Sequence, residues 1–316
     1  MNWIIGAYAA SPTRDGWVEQ EEAEFLEGIY RLKNLVGLEV PFSDSIHKFD
    51  EDWFIQRFPS NLQLVLTLIP GTTASVKSNP LWGISSNDES GRDSAVNFVK
   101  SCLKSVKKVN DAKGSKVVKA IQIHSAPGGT DSSTKALSKS LEQIHAIDWD
   151  GAQIVIEHCD ALVSGQAKQK GYLDLSQEIQ AIKMSMTPTR LSVNWGRSAI
   201  ETRSAQGPID HIKLARSEKL LSGLMFSGAS GVDNRFGKAW ADCHVPPTPL
   251  ADHTSNLLET NSLMTTDEIK KCISAAGDLD YVGLKIAPLK EITVAQRVQT
   301  VAESLEVLEI ANSLLN

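Results

Sequence analysis

Residues 153–160 read Gln153-Ile154-Val155-Ile156-Glu157-His158-Cys159-Asp160, a short apolar run that ends in four chemically capable side chains. A run of this length suits a strand buried on both faces, the usual situation in a parallel sheet. Working outward, seven further segments have the same character: Trp3–Tyr8, Gly37–Pro41, Leu62–Leu68, Val117–Ile123, Leu191–Val193, Leu221–Phe226 and Tyr281–Ile286. Most are followed by helical periodicity, as in Phe25, Leu26, Ile29 and Leu32, or Val294, Val298, Val301, Leu305 and Leu308. Eight strand-then-helix units predict an α/β fold, a (β/α)8 TIM barrel forming a single domain over residues 1–316. Two connections exceed an ordinary βα loop. One is a Gly/Ser/Asn/Pro-rich stretch after strand three, 70–90, containing Trp82; the other follows strand seven. Both are expected to be loops that lie over the site.

Composition narrows the function classes. The chain has 316 residues, is 41% hydrophobic and carries a net charge of −6. No apolar stretch approaches the roughly 20 residues that cross a bilayer, so no membrane partner is expected. Met1-Asn2-Trp3-Ile4 enters a strand without a basic leader, which predicts a cytoplasmic location. Cys102, Cys159, Cys243 and Cys272 lie far apart without C-x-x-C spacing, which predicts reduced, mostly structural thiols. The negative balance argues against a nucleic-acid partner. The lysine-rich segment 100–119 has helical spacing and reads as a solvated face. Barrels often self-associate, so a homo-oligomer is possible, although no exposed apolar stripe argues for one.

Side chains at the C-terminal ends of barrel strands converge on one mouth, where barrel enzymes place their chemistry. Here those positions hold Tyr8, Glu39, His124, Glu157, His158, Asp160, Asn194, Trp195, Arg197, Ser227 and Lys285. Glu157 ends a core strand, and burying a carboxylate there without a partner is expensive, which points to function. His124 breaks an apolar strand and reads either as an acid–base group or as a satisfied structural histidine. His158 and Cys159 point in opposite directions, so one of them meets the helix layer; Cys159 reads as packing. Glu39 can serve the site or pair with a cation, Asp160 can bind substrate or cap a helix. Trp195 can wall a sugar ring or fill the barrel mouth. Arg197, Arg203, Arg235, Lys238 and Lys285 gather cations near the mouth of a net-negative protein, which suits a small anionic substrate. The loop Ser227-Gly228-Ala229-Ser230-Gly231 follows strand seven, where barrels often bind phosphate.

With that strand-five glutamate and strand pattern, the chain resembles the xylose isomerase-like barrels, which include sugar and sugar-phosphate isomerases and epimerases and apurinic endonucleases. Its opening, Ile4-Ile5-Gly6-Ala7-Tyr8-Ala9-Ala10-Ser11-Pro12, is similar to a bacterial branch classed as a domain of unknown function. The resemblance implies a divalent ion held at the ends of strands five to eight by glutamate, aspartate, histidine and glutamate. Glu157 matches the first, but Asn194, Ser227 and Lys285 stand at the others. The reading therefore favours no metal and no cofactor, with the Lys285 ammonium in the place of the ion. A divalent metal is still possible, because His124, Glu157, His158, Asp160, Asp242, His244, Asp252 and His253 could supply ligands to a relocated one.

These residues predict an isomerase or epimerase of a small anionic sugar, a sugar phosphate or sugar acid. Glu157, His124, His158 and Lys285 are the candidate catalytic groups, and Glu39, Asp160, Asn194, Trp195, Arg197, Ser227 and Arg235 the candidate binding groups. A Schiff-base lyase or aldolase built on Lys285, or a carbohydrate-binding barrel without chemistry, are the alternatives. An apurinic endonuclease is disfavoured, because it needs a metal cluster and a basic DNA face.

Overall fold

The computed structural model describes residues 1–251 and 255–315, with the backbone alone at 14 and 15; Asp252 and His253 lie outside the described residues. Eight strands form a closed barrel in sequence order: β1 (Trp3–Ile5), β2 (Leu35–Pro41), β3 (Gln63–Thr67), β4 (Val118–Ile123), β5 (Gln153–His158), β6 (Arg190–Asn194), β7 (Leu221–Phe226) and β8 (Tyr281–Leu284). The ladders β3–β4, β4–β5, β5–β6, β7–β8 and β8–β1 are parallel. The chain packs as two compact units, one of residues 38–193 and 215–222, the other of 1–37, 194–214 and 223–316.

The first unit carries α2 (Glu51–Arg57), α3 (Ile69–Ser78), α4 (Glu89–Lys113), α5 (Thr134–Ile144) and α6 (Leu175–Ser185). Its helices start on side-chain caps: Asp88 accepts from the Gly91 N–H at 2.6 Å, Ser133 from Ala136, and Asp174 shares a capping box with Gln177. Such caps satisfy amides that the first turn leaves orphaned, each contributing about 1 kcal/mol. Register decides what the strands present. Ile123 pairs with Ile156, so the next residues, His124 and Glu157, stand side by side, and Glu157 pairs in turn with Ser192.

The second unit carries α1 (Glu19–Tyr30), α7 (Trp195–Thr202), most of α8 (Gln206–Ser217), α9 (Thr266–Ala276) and α10 (Val294–Ser313). Thr293 and Gln296 form a capping box at α10. No helix among the described residues is long and apolar enough to cross a membrane.

The stretch after strand three differs from expectation. Residues 69–78 are helical, so only 79–88 remain irregular. Pro70 lies in the first turn, where its fixed φ fits and no N–H is needed. Gly71 lets that turn approach its neighbours, since a Cβ there would stand 2.4 Å from the Phe98 ring. Trp82 is buried edge-on against Phe98, with ring centroids 5.6 Å apart. The connection after β7 fits the expectation of length, with no helix or strand among its described residues before Thr266.

Candidate active site

In the first unit, the side chains of His124 and Glu157 meet: Nε2 lies 3.0 Å from Oε2, and both side chains have zero exposure. Other polar residues of these strands are fully buried too: Ser192 of β6, the register partner of Glu157, and Gln122 of β4, which pairs with Thr67 of β3. Alternation along a strand puts Gln122 and His124 on one face of β4. Glu39 of β2 is also fully buried. An imidazole and a carboxylate in hydrogen-bond contact, both withdrawn from water, can exchange a proton and hold it for a substrate.

His158 belongs elsewhere. Being next to Glu157 on the strand, it points to the opposite face, where its Nδ1 lies 2.8 Å from Oε2 of Glu178 on α6. Oε1 of the same carboxylate accepts from the Ser125 hydroxyl. Glu178 is fully buried and ties together the residues that follow His124 and Glu157. Sequence reasoning missed Glu178, although a signal was present: it falls in line with Leu175, Ile179 and Ile182, the buried face of α6. The expectation that His158 shuttles a substrate proton is therefore not matched by its position, which brings it to Glu178 and not to the His124–Glu157 pair.

Asp160 works on its own loop. Its Oδ2 accepts backbone N–H bonds from Gln169 (2.9 Å), Lys170 (2.8 Å) and Gly171 (3.2 Å). Cys159 is buried against Ile69, Ala126 and Tyr172. Its thiol nonetheless joins His124 and Glu157 in a group whose nitrogen, oxygen and sulfur donors all lie within 4.8 Å of one another.

The second unit holds the rest. Asn194 is the N-cap of α7: Oδ1 accepts from the Arg197 N–H at 3.3 Å and from the Ser227 hydroxyl at 2.7 Å. Gly196 permits that approach, because a Cβ there would sit 2.3 Å from the Ser227 carbonyl oxygen. Trp195 has 0% exposure and packs as core, with no face open to a ring. The buried guanidinium of Arg197 lies 2.7 Å from Asp242 Oδ2. Arg235 lies 3.4 Å from Glu259 and donates to the Leu258 carbonyl. Each arginine expected to hold an anion thus already faces a carboxylate. Arg235 and Asp242 line a cavity of about 410 Å³ that Ala287, Pro288 and Lys290 also border. Lys285, just past β8, is 1% exposed, and its ammonium sits 5.8 Å from the centre of the Tyr8 ring.

The metal set implied by resemblance does not fit these residues. Asn194 spends its amide oxygen on a helix cap and a hydroxyl, Ser227 offers that hydroxyl, and Lys285 brings a cation.

Comparison with known proteins agrees with the barrel fold. The solved structures with similar folds include IolI protein with a bound zinc atom (TM-score 0.59, 11% identity, covering 98% of this chain and 99% of that one). They also include an L-ribulose 3-epimerase (0.60, 14%, covering 100% and 97%) and a Methylomonas D-allulose 3-epimerase in complex with D-allulose (0.59, 10%, covering 96% and 95%). At these identities the likeness shows the fold alone, a (β/α)8 TIM barrel. A Salmonella typhimurium protein named "Uncharacterized protein STM3670" is 32% identical over 290 residues, covering 90% of this chain and 89% of its own. Residues 4–300 match one family model, so this barrel, with its buried His124–Glu157 pair, belongs to the family described as domain of unknown function DUF4862.

Proposed function

We propose that the protein is an isomerase or epimerase of a small anionic sugar, moving a proton between carbons through an enediolate. The observation that supports this best is the His124–Glu157 contact of 3.0 Å at adjoining strand ends, with both side chains shielded from water. In this reading Glu157 removes the proton next to the substrate carbonyl, and His124 moves a proton at oxygen. Lys285 supplies positive charge to the developing enediolate oxygen. Arg197 and Arg235 hold the anionic group by exchanging Asp242 and Glu259 for it, an exchange that two guanidinium groups with fork geometry can make. The fold neighbours that carry epimerase names are consistent with a carbohydrate substrate.

The test is carbon-bound hydrogen exchange in deuterated water, followed by NMR, across ketose phosphates, neutral ketoses and sugar acids. Incorporation at the carbon next to the carbonyl by the native chain, lost in Glu157→Gln at unchanged fold, is the expected result. Exchange that survives Glu157→Gln removes this mechanism. A second reading, Schiff-base cleavage at Lys285, is favoured by the burial of that ammonium beside Tyr8, since desolvated lysines make carbonyl adducts. Borohydride trapping during turnover would attach substrate to Lys285, and an unlabelled lysine would exclude it.

A further inference from the structure

We infer that His124, Glu157 and Cys159 form a binding site for a zinc-like divalent ion, displaced from the position that the fold relatives imply and distinguished by a thiolate ligand. Three facts carry this. The donors are of three different kinds, an imidazole nitrogen, a carboxylate oxygen and a sulfur, and all lie within 4.8 Å of one another. Ligands of one tetrahedral zinc stand roughly 3.3–3.6 Å apart, given bond lengths near 2.0–2.3 Å, so modest side-chain rotation closes the group around an ion. His124 Nε2 and Glu157 Oε2, at 3.0 Å, are already near that spacing.

The surroundings favour a cation. His124 and Glu157 have no solvent-exposed side-chain surface, and Cys159 is 1% exposed behind Ile69, Ala126 and Tyr172. In such a low-dielectric shell a carboxylate and a thiolate attract a divalent ion more strongly than at a surface. The strand ends that carry two of the ligands are fixed from behind, since Glu178 holds Ser125 and His158, the residues next to them. Outer partners of this kind set the orientation of ligands.

The donor set also selects the ion. Sulfur and imidazole suit zinc, cobalt or ferrous iron, whereas magnesium and manganese prefer all-oxygen shells. Three protein ligands leave a fourth position for water or a substrate oxygen, the pattern of sites that act as Lewis acids. A carboxylate can bind an ion through one oxygen and keep the other, so Glu157 can still act on a substrate proton, while in the ion-loaded chain the metal, and not the His124 ring, would act at the substrate oxygen.

The test uses the full chain, stripped with chelator and dialysed against zinc, cobalt or manganese. One zinc or cobalt per chain is expected, with manganese bound at least about tenfold more weakly. The cobalt form should show a thiolate-to-metal charge-transfer band that Cys159→Ser abolishes, and His124→Ala should lower affinity at least about tenfold. X-ray absorption of the zinc-loaded native chain needs no variant: one sulfur at about 2.3 Å with nitrogen and oxygen neighbours is expected. A shell without sulfur, or no stoichiometric retention of any ion, overturns the site. An ion held through sulfur by a chain that exchanges no sugar hydrogen keeps this site and sinks the isomerase reading; exchange by a chain that holds no ion does the reverse.

Discussion

His158 Nδ1 lies 2.8 Å from Glu178 Oε2, a fully buried contact between the last residue of β5 and the helix that packs behind it. The other oxygen of Glu178 takes the hydroxyl of Ser125. Removing this acceptor leaves an imidazole and a hydroxyl buried without it, at a cost of about 1–3 kcal/mol for each group stranded. Glu178→Leu should therefore lower the urea midpoint markedly. Glu178→Gln retains one acceptor oxygen and should lose less. Equal midpoints for Glu178→Leu and the native chain would show that the carboxylate is not a structural tie.

Asp160 gives a prediction of another kind, because its Oδ2 gathers three consecutive amides, those of Gln169, Lys170 and Gly171. Charge-assisted hydrogen bonds to one carboxylate are stronger than neutral ones, and here they fix a surface turn. In Asp160→Ala the segment 165–171 should open locally, and limited proteolysis should nick it well before the rest of the chain is cut. Cleavage at the native rate in that segment would refute the anchoring role. Sugar-dependent protection of the native segment would instead restore Asp160 to substrate binding.

Gly83 tests how tightly the end of β4 is held. A Cβ there would lie 2.1 Å from the carbonyl carbon and oxygen of Ala126, both backbone atoms that cannot swing aside. Ser85 stitches the same segments together, its N–H and hydroxyl both donating to the Ala126 carbonyl at 2.8 Å. Gly83→Ala should cost about 3 kcal/mol or more, the range of overpacking against a rigid neighbour. A thermal midpoint within a degree or two of native would mean that the two segments part easily.

The barrel was legible because its strands are short apolar runs that end in polar residues, a pattern that length and period alone disclose. Glu157 was legible for the same reason, as a carboxylate at the end of a core strand. What alternation could not settle was which of His158 and Cys159 turned toward the helices, since either choice satisfies period two. Glu178 settles it, and Glu178 is brought to β5 only by tertiary packing. Asn194 and Asp160 were named for their chemistry, yet each has a local backbone task, a helix cap and a loop anchor, that short polar side chains perform often. Pro70 and Gly71 read as loop residues, although proline fits a first helical turn and this glycine is needed for close packing.

Glu51 carries the pH dependence that can be worked out most directly. Burial pushes its carboxyl upward, but hydrogen bonds from Lys108, Ser105 and the Ile46 N–H, with the Lys108 charge, outweigh burial and hold it below the usual carboxylate range. Lys108 lies 2.8 Å from Oε2, and the Ile46 N–H donates at 3.2 Å. A carboxyl whose pKa is lower folded than unfolded binds fewer protons in the native state. Its contribution is therefore complete above the ordinary value of 4.5 and is lost as the pH falls through the lowered folded value. Glu51→Gln should accordingly reduce stability at pH 7 and flatten the loss of stability between neutral pH and the acid side of 4.5. At acid pH the two proteins should converge. Urea unfolding of both across that range decides the matter, and parallel curves, with the difference unchanged at low pH, would show that the charge on Glu51 contributes nothing to folding.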